Sequence, residues 1–424
     1  MALTQAIFSQ VLTKRLPSEM EYVLPAESVT AERSTTKFEP SGGYSTYKPN
    51  STMTISLPPI DYFMDPGATS LCFDVSVPSG AGAKLKFPQC GAHGLIRSLK
   101  VYHSSGILID TIDRYDLLSA VQADLSIEQS LRDGILLAMQ GMGQAPLSTA
   151  PRRVMIPLKN IIFANARHIP LKYLSSVRCE VLWAPASEVL VQTDNATDVP
   201  LDYTITNACI YTTLIKPSDT QIAQYDESFR QKGLALYGST YKHHVLQWTS
   251  PNATLTIADR SASMKDVMVV MCDNAVVDPS LATSRSVDKL HARACRVARY
   301  QWSLAGRLFP SRPVEGPVET LQELSDATHG QLSGWAVKAT EFAKPQVGSY
   351  CIAREMESSR TLVSGDKTAR DRQVDLNLTL YQLDQLDFGA GPVSAGTPNC
   401  SVDVWVHADK VVRFNAEGSV SIFE

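Results

Sequence analysis

The sequence predicts an all-β protein with minor helices, arranged as two tandem β-domains. Three observations predict it. Apolar residues alternate at period two in short runs along most of the chain. Turn residues bound those runs, as expected of sandwiches or barrels. The order of elements repeats, weakly, after about 200 residues, although residue identity between the halves is negligible.

The elements follow in chain order. Residues 1–44 read as a leader. Leu3, Ile7 and Val11 fall on one helical stripe with Phe8 and Leu12 beside them, and the polar stretch Ser34 to Asn50, with Gly42-Gly43, reads as an extended strap. The first domain is expected over 45–217. Leu71, Phe73, Val75 and Val77 share one strand face there, closed by the turn Pro78-Ser79-Gly80. A later strand turns at Ser104-Ser105-Gly106 into the short strand Ile107-Leu108-Ile109. Tyr115 to Met139 then has helical spacing, as two short helices broken near Leu125–Glu128. Val177, Cys179, Val181 and Trp183 form another alternating face, followed by a pair of strands over 201–214. A connecting helix over 218–233 starts at the cap Ser218-Asp219 and stops before Gly233. The second domain, 234–424, repeats the order. Val267 to Cys272 is a buried strand. Val297 to Leu304 leads through Gly306 to Leu308-Phe309 and a helix from Pro317 to His329. Val374, Leu376, Leu378 and Leu380 alternate, as do Val402, Val404 and Val406.

Composition narrows the function. The 424 residues are 44% hydrophobic and 19% charged, below the ~25% charged of ordinary domains. Lys and Arg total 39 against 43 Asp and Glu, a net charge of −4. Direct binding of a nucleic-acid backbone leaves a basic footprint, and neither end carries a basic arm. No apolar run approaches the ~18 residues of a membrane span. Lys14-Arg15 follow the apolar part of the leader instead of preceding it, contrary to a secretory signal, so the chain is expected to be made inside a cell and not secreted. The eight cysteines, at 72, 90, 179, 209, 272, 295, 351 and 400, show no metal-ligand spacing and read as reduced thiols near the core. The sequons at Asn50, Asn195, Asn252, Asn377 and Asn399 read as chance occurrences.

The chemistry-bearing residues point to no reaction. His243 and His244 are adjacent, so on a strand they face opposite ways and do not share a metal. Asp110, Asp113 and Asp116 beside Arg114 lack the dense oxygen pattern of a calcium loop, and read as a turn and a capped helix start. The stretch His291 to Trp302, with Arg296, Arg299, Tyr300 and Trp302, is the most basic. It is brief, and reads as a strand rather than a base-stacking surface. Trp335 and Phe342 are placed as anchors of a long loop at a subunit contact. No catalytic, cofactor-binding or metal-binding residue is assigned, no cofactor is expected, and the chain is not read as an enzyme.

Particular residues resemble those of double jelly-roll major capsid proteins. Gly94 to Leu118, with its turn at Gly106 and its helix start Tyr115-Asp116-Leu117-Leu118, is similar to a recurring strand–turn–strand–helix unit of that family. Pro58 to Asp65 followed by Thr69 to Val75 is also similar, as is Val297 to Pro310 with Tyr300-Gln301 and Phe309-Pro310. The group concerned is the adenovirus, polinton, adintovirus and virophage lineage. Specific matches span about 60 positions, while the layout matches most of the chain. Adenovirus hexon is more than twice this length, so a low outer surface without long towers is implied.

The resemblance implies two eight-stranded jelly rolls in one chain. It implies a structural capsid protein of a double-stranded DNA virus, forming pseudo-hexameric homotrimers that tile an icosahedral shell of the virion. The partners implied are other trimers, penton and minor capsid proteins, an inner membrane and a host receptor. Residues 1–16 are expected either to dock inside that shell or to pack on the first sandwich. The competing readings are a tandem β-sandwich spike or adhesin that binds glycans or receptors, and a glycan-degrading enzyme. The adhesin lacks an aromatic ligand shelf. The enzyme lacks any pointer to a paired-carboxylate cleft.

Overall fold

The computed structural model describes residues 31–81, 84–193, 199–259, 261, 263–277, 285–293, 297–304, 306–328, 348–357, 376–383, 385–387, 392–394 and 396–423. The helical stripe at Leu3, Ile7 and Val11, the loop anchors Trp335 and Phe342, and Val374, Cys295 and Arg296 lie outside these residues.

Sixteen strands carry two copies of one arrangement. In the first copy they are β1 (Ala31–Phe38), β2 (Thr52–Leu57), β3 (Phe63–Ser76), β4 (Ile96–His103), β5 (Leu108–Asp113), β6 (Arg152–Ile156), β7 (Val177–Trp183) and β8 (Thr204–Pro217). In the second they are β9 (Leu234–Trp248), β10 (Asn252–Ile257), β11 (Met264–Asp273), β12 (Val297–Leu304), β13 (Arg307–Glu315), β14 (Ile352–Glu355), β15 (Leu376–Gln382) and β16 (Cys400–Phe414).

The first copy pairs as β1-β8-β3-β6 in one sheet and β2-β7-β4-β5 in the other. The second pairs as β9-β16-β11-β14 and β10-β15-β12-β13. Adding eight to each label of the first copy gives the second. All of these pairings are antiparallel. Two four-stranded antiparallel sheets with this crossing order are the jelly roll, and the chain holds two in tandem.

Alternation places the cores. Leu71, Phe73 and Val75 of β3 face Val177, Cys179, Val181 and Trp183 of β7 across the first sandwich, all buried. Phe73 and Trp183 meet edge-on with ring centroids 5.0 Å apart. In the second roll Leu376, Leu378 and Leu380 of β15 are buried beside their register neighbours Ile257, Trp302 and Tyr300 in the same sheet. In β16 the residues between the alternating valines, Asp403 and Trp405, are buried as well. This strand is central in its sheet and covered on both faces, so its pattern is closer to a continuous apolar run.

The repeated strand–glycine–strand–helix unit is present in both rolls. β4 turns at Gly106 (φ 84°) into β5 and then α1 (Tyr115–Ser126), and β12 turns at Gly306 (φ 76°) into β13 and a later helix. Positive φ is the backbone region that these tight turns need and that side chains disfavour.

Three expectations are corrected. Tyr115 to Met139 folds as three helices, α1, α2 (Gln129–Asp133) and α3 (Ile135–Gln140), because Gly134 adds a second break after the one at Ile127–Glu128. The paired strands expected over 201–214 are one long strand, β8, bent by register shifts after Thr206 and Tyr211 instead of being cut by a turn. Residues 31–38, read as part of the strap, pair in register with β8 from Ala31–Pro217 to Phe38–Ile210 and form the edge strand of the first roll. The connecting helix α4 (Asp219–Lys232) and the helix α5 (Gly316–Ala327) lie where the sequence puts them.

Candidate functional site

Two clusters of buried polar side chains lie where the two rolls meet. Strand β5, at the edge of the first roll, lies against β9, the edge of the second. Asp110 of β5 is buried there. Its carboxylate accepts from Thr240 Oγ1 at 2.6 Å, from the backbone N–H of Ile161 and Thr111 at 3.1 Å each, and from Lys410 Nζ at 3.3 Å. Thr240 and Lys410 come from β9 and β16. One acid of the first roll is therefore satisfied by two donors from each roll. A buried ion pair of this kind costs desolvation and contributes geometry as much as energy.

A second cluster lies at the end of α1. The Asp124 carboxylate accepts from Arg132 Nη1 at 3.3 Å and pairs with His291 Nδ1 at 2.9 Å, and Arg293 Nη2 reaches the same carboxylate. Asp124, Arg132 and Arg293 are all buried. Backbone groups join in. The N–H of Gln89 donates to Asp288 at 2.6 Å, Lys289 Nζ donates to the carbonyl of Ser187 at 2.6 Å, and the N–H of Gln192 donates to the carbonyl of Arg285 at 2.9 Å. The segment 285–293 of the second roll is thus clamped to the first at several points.

These contacts relocate the sequence candidates. Asp110 belongs to a strand and crosses between the rolls; it does not cap a helix. Asp116 lies in the first turn of α1, buried, with Arg114 Nε at 3.2 Å and Arg97 Nη1 at 3.4 Å. Burial pushes its pKa up, opposed by those two guanidinium groups. The residue at the helix N-cap is Arg114, in the left-handed region at φ 52°, with no side-chain cap bond, so the expected acidic cap is absent from that position.

His243 and His244 point to different partners. His243 Nε2 is 2.8 Å from Asp403, and His244 Nε2 is 3.2 Å from Asp259. Burial works against the Asp259 carboxylate, but His244 and Ser261 hold its pKa below the usual range. In the basic stretch, Arg293 is taken up by Asp124 and Arg299 lies over the Tyr381 ring at 4.5 Å, while Tyr300 and Trp302 are buried. No aromatic shelf is left there for a base. Sequence reasoning missed Asp124, Arg132 and Arg293 as a unit. Their separation along the chain leaves no local signal.

Among the described residues no group of three or more His, Cys, Asp or Glu side chains is placed to hold a metal ion. Nor is any described helix long and apolar enough to cross a membrane. A groove of about 900 Å³ runs between α4, the start of β9 and residues 165–170, with Phe63, Tyr225, Phe229 and Tyr237 in its walls. Its walls are largely apolar, with Arg167 and His168 also lining it.

No protein-family model and no curated protein sequence matches the chain. Solved structures do. The VP54 protein of PBCV-1, fitted into a reconstruction of the virophage Sputnik, superimposes with a TM-score of 0.65 at 12% identity, over 96% of this chain and 99% of that one. The Faustovirus major capsid protein gives 0.63 at 9% identity over 98% and 97%. The mavirus major capsid protein gives 0.52 at 10% identity over 97% and 93%. Residue identity is low and the strand order is complete, so what is shared is architecture from end to end. The chain has the tandem jelly-roll fold of these viral proteins.

Proposed function

We propose that this chain is the major structural protein of an icosahedral viral shell, acting as a homotrimer and not as an enzyme. The carrying observation is that two jelly rolls of identical strand order are fixed edge to edge by buried polar contacts. Three such chains around an axis present six similar sandwiches, a near-hexagonal tile made by a three-fold oligomer. The end-to-end likeness to viral capsid proteins supports the same reading. So do apolar side chains left in water on the single chain, among them Leu131 and Ile135 on α2 and α3 and Leu308 on β13. Exposed apolar surface of this kind marks contacts with other chains.

The domain bounds that accompany this reading are a first roll from residue 31 to 217, a connecting helix over 218–233 and a second roll over 234–424. The partners are other copies of the chain, with penton and minor capsid proteins at the vertices and seams, and the location is the virion.

Light scattering and electron microscopy on the purified full-length chain test the proposal. Trimers or closed shells are expected. A stable monomer that binds glycans would overturn it in favour of the adhesin.

A further inference from the structure

Cys72 of β3 and Cys209 of β8 are register partners on neighbouring antiparallel strands. They lie on the outer face of their sheet, opposite the Leu71 and Phe73 side, and each thiol perturbs the other's pKa. Arg153 on β6 reaches across β3. Its Nη2 is 3.6 Å from Cys209 Sγ, and its Nη1 donates to Asp74 at 3.1 Å and to the carbonyl of Asn207 at 2.8 Å. The register shift after Thr206, with Asn207 at φ 50°, turns Cys209 toward its partner. Cys209 also lines a cavity of about 680 Å³ between this face and residues 39–45, with Lys37 and Arg153 in its walls. Directly opposed residues of an antiparallel pair have Cα atoms about 4.5–5.5 Å apart. That range lies inside the ~4.4–6.8 Å spanned by disulfides.

We propose that Cys72 and Cys209 are a redox pair, closed by peroxide into a cross-strand disulfide that staples β3 to β8. The Cys209 thiolate attacks one oxygen of hydrogen peroxide. The O–O bond breaks, Cys209 becomes a sulfenic acid, and the departing hydroxide takes a proton to become water. The Cys72 sulfur, giving up its proton, then attacks the Cys209 sulfur. The S–O bond breaks and the second oxygen leaves as water. Two thiols and one peroxide give one disulfide and two waters, with the sulfurs oxidised and the peroxide reduced.

The roles are unequal. The neighbouring Cys72 thiol, with Arg153 and Lys37, lowers the Cys209 pKa against the opposing effect of burial, while the Cys72 pKa is pushed up. Small size matters for the oxidant, since both cysteines are nearly closed to solvent.

The test uses the reduced full-length chain, treated with hydrogen peroxide, blocked with an alkylating agent and digested without reductant for mass spectrometry. A linked Cys72–Cys209 peptide is expected before the other cysteines react. Cys72→Ser should stop at a sulfenic acid on Cys209 that dimedone traps. At pH 5, below the Cys209 pKa of about 6, Arg153→Met should slow oxidation about tenfold, the effect of one pKa unit on the thiolate fraction, and Arg153→Lys should restore part of the rate. Circular dichroism identifies any variant that misfolds, and the wild-type and Arg153→Lys measurements then decide the matter. Sulfinic acid on Cys209 without a linked peptide, or bridges only between chains, would overturn the proposal. The experiment reads the thiols alone, so its result is separate from whether the chain builds a shell.

Discussion

His93 shows how a single buried side chain sets pH behaviour. It lies in the turn before β4, 3% exposed, with its ring stacked on Tyr115 and Nδ1 3.3 Å from the phenol oxygen. Burial pushes its pKa down to about 3 from 6.5, with the Lys159 charge adding to the effect. The folded chain therefore keeps His93 neutral while the unfolded chain binds a proton. The stability contributed is complete above pH 6.5 and is lost as pH falls toward 3. At pH 5 the loss amounts to about 2 kcal/mol, from one and a half pKa units. Unfolding free energies from urea titrations at pH 7 and pH 5 should differ less in His93→Gln than in the wild type by about that amount, and an unchanged difference would refute this origin. The Asp110 site carries the lesson for legibility. The residue stood out in the sequence by its acidic neighbours, but its partners Thr240 and Lys410 are 130 and 300 positions away. No local pattern joins such residues.

At the scale of elements, α4 illustrates a helix held by its ends and by a few rings. None of its residues is fully buried. Ser218 and Gln221 form a capping box, with the N–H of Ser218 donating to Gln221 Oε1 at 3.3 Å. Phe229 stacks on Tyr173 at 4.5 Å, and Asp226 accepts from Tyr173 Oη at 2.8 Å. Ser218→Ala should cost about 1 kcal/mol of local stability. Hydrogen exchange over residues 219–225 should then speed up about fivefold with the sheets unaffected, and equal protection in both proteins would refute the cap's role. This helix was readable because caps and glycine stops are local. Strand β1 was not. Its sequence, Ala-Glu-Arg-Ser-Thr-Thr-Lys-Phe, is mostly exposed, and as an edge strand it needs no apolar face to find its place. Its register comes from β8, which the local sequence does not display.

The whole molecule behaves as one body because the junction between rolls is both packed and polar. The buried apolar cluster runs through both halves, and Gly238 of β9 lies so close to Ile161 that an added Cβ would sit 2.8 Å from its side chain. The Asp110 and Asp124 carboxylates draw donors from both rolls. Heat should therefore unfold the wild type in a single calorimetric transition. The double variant Asp110→Asn, Asp124→Asn removes both charges from buried pairs, each break costing about 3–5 kcal/mol. Its endotherm should separate into two, one for each roll. A single peak that only moves to lower temperature would show that apolar packing alone couples the halves.

By itself the sequence determined the β class, the tandem repeat, the alternating core faces and the glycine turns at 106 and 306, because those signals act between residues close along the chain. Only the tertiary structure decided which strand lies beside which, that residues 31–38 complete the first roll, that Asp124 meets Arg293 across the junction, and that Cys72 faces Cys209. Those pairings depend on chain crossings tens to hundreds of residues long, and the physics that selects them is burial and charge satisfaction summed over the assembled sheets.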